Sequence, residues 1–155
     1  MSARHWTRGW TSIALVLKYA GLTAGQLKER AVPPSRLSLL GLVRHMTEVE
    51  RWWFRIHAAD TGMAFPYDPD QTGQDFEALD DTDTAANIEA LKQEIEHART
   101  ALAGKQLDDV VPGHSHHPKR TRDIRWIYLH MIEEYARHNG HANLLRERIA
   151  GVTGD

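Results

Sequence analysis

The sequence predicts an all-α protein, a four-helix bundle with one long connection between its second and third helices. Three observations carry this. Apolar residues recur at three- and four-residue steps over four separate stretches, the period of an amphipathic helix. Capping residues and glycines stand at the ends of these stretches. No run alternates strictly between apolar and polar, no Asn-Gly or Asp-Gly turn joins two strand-like runs, and no internal repeat is present.

The first predicted helix runs from Trp6 to Ala20, with Trp6, Trp10, Ile13, Leu17 and Ala20 on one face and Gly21 ending it. Thr23 can cap one or two turns through Lys28, after which Val32-Pro33-Pro34-Ser35 breaks the pattern. Ser38 can cap a second helix to about Ala58, with Leu42, His45, Val49, Trp52 and Ile56 as its apolar stripe. From Asp60 to about Asp81 the chain is rich in Asp, Gly, Pro and Thr, with Phe65, Tyr67 and Phe76 interspersed. It reads as a long connection, and such loops are often functional. Thr82-Asp83-Thr84 offers caps for a third helix with Ile88, Leu91, Ile95, Ala98 and Leu102 on its apolar face, ended by Gly104. A loop from Lys105 to Arg120 follows. Thr121 can then cap the fourth and longest helix, ended by Gly151.

With 155 residues, the chain is expected to form a single domain over 1–155. Hydrophobic residues make up 41% and charged residues 26%, near the average for soluble globular proteins. No apolar run approaches the roughly 18 residues needed to span a bilayer, so no membrane segment is expected. The N-terminus has no signal-peptide pattern, and a cytoplasmic location is expected. Lys+Arg number 19 against 21 Asp+Glu, a net charge of -2, which leaves no basic footprint for nucleic acid. There is no cysteine, which excludes disulfides, thiolate zinc sites and a protein thiol nucleophile. Ten histidines are the unusual number, since histidine is the commonest metal ligand.

The chemistry concentrates in the fourth helix, whose stripe reads Ile127, Met131, Glu134, His138, His141, Leu145, Ile149. Its ends are apolar and its middle is ionisable. A glutamate is almost never buried without a partner. Glu134 and His138 stand four residues apart, one above the other on a helix face, and His45 takes an interior position on the second helix. Metal sites in bundles are built from inward side chains on facing helices. His45, Glu134 and His138 would give two nitrogens and one oxygen, a set suited to zinc or another divalent first-row metal with a position open for water or substrate. Spacing leaves open other triads that use His130 or His141, which also suit outer-shell or proton-transfer roles. The His114, His116 and His117 cluster reads as a solvated loop. A di-iron site fails, because it needs Glu-x-x-His on two helices; only Glu94 to His97 has that spacing, and His97 lies off its helix's apolar face. Gly140, inside the fourth helix, could permit a close approach. Trp52-Trp53-Phe54 presents aromatics to two sides; Trp52 is read as core, and another ring could wall a pocket or join the interface of a homodimer.

Two blocks of sequence resemble a known superfamily. Leu39-Leu40-Gly41-Leu42-Val43-Arg44-His45-Met46 with Val49-Glu50-Arg51-Trp52-Trp53-Phe54, and Arg125 through His141 with Leu144-Leu145-Arg146-Glu147, are similar to the DinB-like superfamily, and within it to the branch related to mycothiol-dependent maleylpyruvate isomerase. The resemblance implies a four-helix bundle of the DinB-like type. It also implies a zinc or nickel ion held by one histidine of the second helix and two ligands four residues apart on the last long helix. Carried over, these are His45, Glu134 and His138. The implied activity is transfer or addition of a low-molecular-weight thiol, mycothiol or bacillithiol, to an electrophilic substrate. A thiol with a pKa near ~8.5 is mostly protonated at neutral pH, and a metal favours the thiolate. Two readings stand beside this one: a non-catalytic bundle that is metal-stabilised or senses a ligand, and a metal-dependent hydrolase using the same ligands.

Overall fold

The computed structural model describes residues 18–63, 73–112 and 121–151. Over these the chain is mostly helical. A short helix α1 (Ala24–Lys28) leads to α2 (Leu39–Glu50), which continues as π-helix over Arg51–Ala58. A 3-10 turn at Gln74–Phe76 precedes α3 (Thr84–Ala101), and α4 (Ile124–Ala150) is the longest element. The all-α expectation stands, as does the long connection between the second and third predicted helices. The first predicted helix falls almost wholly before residue 18, outside the described residues, and so do Phe65, Tyr67 and the histidines of 114–117.

Helix starts follow side chains that satisfy the orphan N–H groups of a first turn. Thr23 and Gln26 form a capping box on α1, and the Ser38 hydroxyl accepts from the Gly41 N–H at 3.0 Å to start α2. Asp83 accepts from the Ala86 N–H at 3.0 Å to start α3. Asp123, and not Thr121, caps α4, accepting from the Trp126 N–H at 2.7 Å. The reason is a small antiparallel ribbon that begins within the stretch expected to be loop. Strands β1 (Val110–Val111) and β2 (Arg122–Asp123) pair Val110 with Asp123 and Val111 with Arg122. That pairing holds the chain extended through residue 123. Two residues per strand are too few to leave an alternation in the sequence.

The core lies between α2, α3 and α4, where Leu39, Met46, Leu91, Ile124 and Ile127 are fully buried. Each such side chain contributes about 1.5–3 kcal/mol by leaving water. The buried face of α2 is Leu39, Leu42, Val43, Met46 and Glu50, rotated from the predicted stripe, so that His45 and Val49 stand at its edge. Beyond Glu50 the π-helical turns shift the phase again, burying Phe54, Ile56 and His57. Trp53 packs against the core while Trp52 stacks on His57 with ring centroids 5.8 Å apart, so the core role expected of Trp52 belongs to its neighbours. A buried ion cluster fixes the π-helical segment to α3. Glu94, only 2% exposed, accepts from Arg51 at 2.9 Å and from Arg55 at 2.9 Å.

One glycine positions the connection. A Cβ on Gly41 would lie 2.5 Å from the Phe76 ring, so the ring sits in a notch that only glycine leaves open. Arg44 donates to the backbone carbonyls of Gln74 at 3.2 Å and Glu77 at 2.7 Å. Arg30 reaches the Phe76 carbonyl at 2.9 Å, and Arg36 pairs with Glu77. The 3-10 turn is thereby held against the middle of α2. Gly140 has no such role: a Cβ there would meet nothing within 4 Å.

Candidate metal centre

Helix α2 brings His45, and α4 brings Glu134 and His138, to one place at the edge of the core. One ligand atom from each lies within 4.8 Å of the other two. The His45 and His138 rings are 4.7 Å apart between centroids, inclined at 64°, and His138 Nε2 lies 3.3 Å from Glu134 Oε2. Glu134 and His138 are buried at 9% and 7% exposure, whereas His45 is half-buried. The cluster therefore opens toward solvent beside α2 and closes toward the core.

Each of the three has a partner on its outer side. His45 Nδ1 lies 2.6 Å from Oδ2 of Asp75, a buried carboxylate of the 3-10 turn. Arg137 donates to Glu134 Oε1 at 2.7 Å, and His130 Nε2 stands 3.7 Å from the same oxygen. His138 Nδ1 faces His141 Nδ1 at 3.4 Å. His130 and His141 thus each stand beside one member of the triad. His130 is itself clasped by aromatics, stacked on Trp126 at 5.0 Å and edge-on to Trp53 at 4.6 Å.

Burial, reinforced by the neighbouring His45, pushes the His138 imidazole down to about 4, so it is neutral near pH 7. Neutral imidazole is the form that can ligate a cation. Two imidazoles and one carboxylate form a donor set that fits a divalent first-row ion. A second group, His45 with Glu48 and Asp75, has ligand atoms equally close together. There burial and the Asp75 charge raise the Glu48 carboxyl above its ordinary range, as expected of two carboxylates crowded together.

Sequence reasoning found His45, Glu134 and His138 because they interrupt apolar helical stripes. It missed Asp75, Glu48 and Arg137. Asp75 lies in the connection, where no periodicity marks a residue, and its only sequence signal is the adjoining Phe76. Glu94 is held by Arg51 and Arg55, and His97 is exposed with Nδ1 3.4 Å from Arg55, so the failed di-iron spacing belongs to the ion cluster.

A family model described as mycothiol-S-transferase matches residues 10–151, nearly the whole chain. The chain belongs to the mycothiol-S-transferase family. The relation to the DinB-like superfamily inferred from the two sequence blocks stands with it. No curated protein and no solved structure matches the chain. A mycothiol S-transferase acts on a small-molecule thiol, and among the described residues no helix is long and apolar enough to cross a membrane.

Proposed function

We propose that the protein is a divalent-metal-dependent S-transferase that joins a low-molecular-weight thiol, mycothiol first and bacillithiol as the alternative, to an electrophilic small molecule, with zinc or nickel held by His45, Glu134 and His138. The observation that carries this is the convergence of three ligand atoms within 4.8 Å in a chain of the mycothiol-S-transferase family. A bound divalent ion supplies the positive charge that favours the thiolate over the thiol, whose pKa is ordinarily about 8.5. Glu134 offsets one unit of that charge and leaves the rest to attract the sulfur. His138, neutral near pH 7, offers its nitrogen without competition from a proton. His45 stands at the solvent edge of the cluster, the side from which a thiol can enter. In the transfer the thiol releases its proton to solvent, a carbon–sulfur bond forms, and the bond from that carbon to the leaving group breaks, the leaving group departing with its electron pair. With no cysteine in the chain, the sulfur nucleophile has to come from the thiol cosubstrate.

The test is metal analysis followed by cobalt substitution. Addition of mycothiol or bacillithiol to the cobalt protein should produce a sulfur-to-metal absorption band, absent from His138→Ala, and the same thiol should be consumed with a model electrophile. Hydrolysis of a simple ester or amide with no thiol effect would replace this reading with a hydrolase. A protein that binds metal but neither thiol nor substrate would be a metal-stabilised bundle.

A further inference from the structure

We propose that Asp75 is a positioning residue for His45, and that the long connection exists in part to deliver it. The proposal rests on the metal reading above for its consequence, but its geometry is independent of that reading. Asp75 is 5% exposed, and its Oδ2 lies 2.6 Å from His45 Nδ1. A carboxylate can only accept, so Nδ1 carries the proton and donates it, which fixes the tautomer. In the neutral ring Nε2 is then the unprotonated nitrogen, the one available to a cation shared with Glu134 and His138. A partner of this kind fixes ring orientation and raises the basicity of the ligating nitrogen.

The support of Asp75 is built from several elements. Phe76, its neighbour, fills the notch at Gly41, one turn before His45 on α2. Arg44, adjacent to His45, donates to the carbonyls on both sides of the turn, those of Gln74 and Glu77. The backbone on either side of Asp75 is thus tied to the same helix that carries His45. That arrangement holds a carboxylate and an imidazole at fixed separation across 30 residues of sequence, more than a buried Asp needs for its own satisfaction.

Two readouts decide the matter. In the metal-free protein, proton-detected ¹⁵N spectra of the histidine side chains should show His45 as the Nδ1–H tautomer, with its proton far downfield, and Asp75→Ala should abolish that signal. In competition titrations with a chromophoric chelator, Asp75→Ala should bind zinc roughly ten- to hundredfold more weakly than the parent at unchanged helicity, the usual cost of losing an outer partner. Asp75→Asn, which keeps an acceptor but not the charge, should fall between. In the cobalt protein the visible band positions should be the same in parent and Asp75→Asn, because no ligand has been removed. A His45 found as the Nε2–H tautomer, or zinc affinity unchanged in Asp75→Ala, overturns the proposal. Altered cobalt bands also overturn it, by making Asp75 a ligand itself. A parent that binds no metal would refute the metal reading alone, and the tautomer measurement would still decide the role of Asp75.

Discussion

Glu50 is a carboxylate inside the core, 4% exposed, with the Tyr135 hydroxyl donating to its Oε1 at 2.7 Å. Burial raises it from 4.5 to about 7, with Glu94 adding to the rise, while the Tyr135 hydrogen bond and Arg99 oppose it. The folded protein therefore holds a proton on Glu50 that the unfolded chain releases above pH 4.5. Stability is lost as pH rises from about 4.5 to 7, by about 3 kcal/mol at 1.36 kcal/mol per pKa unit, and below 4.5 the group has no effect. Glu50→Gln should remove this slope, so that denaturant unfolding at pH 5 and pH 8 shows the variant gaining on the parent at the higher pH. Equal gains at both would mean that Glu50 is ionised throughout. At this scale the sequence was legible where an ionisable group broke an apolar helical stripe, as Glu134 and His138 do. Glu50 was passed over because it lies next to Val49, the residue assigned to the stripe, and a rotation of one position moves a side chain about 100° around a helix. Asp75 had no stripe to break.

At the scale of elements, capping and periodicity located α2, α3 and α4 closely, since Ser38, Asp83 and Gly151 act through bonds to residues three or four away. What they missed depends on distant partners. The Asp123 cap follows from a ribbon whose strands are 11 residues apart at their nearest, and the π-helical turns after Glu50 coincide with the Glu94 cluster. The Gly41 notch is of the same kind, and it makes a sharp prediction. Alanine in place of glycine in a helix gains about 1 kcal/mol of propensity. A Cβ 2.5 Å from the Phe76 ring costs about 1–3 kcal/mol through overpacking. Gly41→Ala should therefore destabilise the parent by about 1 kcal/mol, yet stabilise a Phe76→Ala protein by up to about 1 kcal/mol. A double-mutant cycle in denaturant reads the coupling directly, and the same sign in both backgrounds would remove the notch from the account.

For the molecule as a whole, the proposed ligands join α2 to α4, and through Asp75 they also involve the connection between α2 and α3. A cation that binds these groups only in the folded state must stabilise the fold by mass action. At a free metal concentration of 100 times Kd the gain is about 2.7 kcal/mol, which for a chain of this length raises Tm by roughly 5–11 °C. Glu134→Gln keeps the side-chain volume and loses the charge, so the metal-free variant should melt near the metal-free parent. Arg137 would still find an oxygen acceptor in the amide. If the variant binds a hundredfold more weakly, the same free metal stabilises it by only about 0.4 kcal/mol. Differential scanning calorimetry with zinc buffered at several free concentrations would follow the whole dependence, and hydrogen exchange would locate it. Added protection should appear in the central turns of α2 and α4, with little change at the exposed end of α3. Equal stabilisation of parent and Glu134→Gln would place the ion elsewhere; Glu48 and Asp75, which form a second group with His45, would then be the first residues to mutate, and the histidines at 114, 116 and 117 the next.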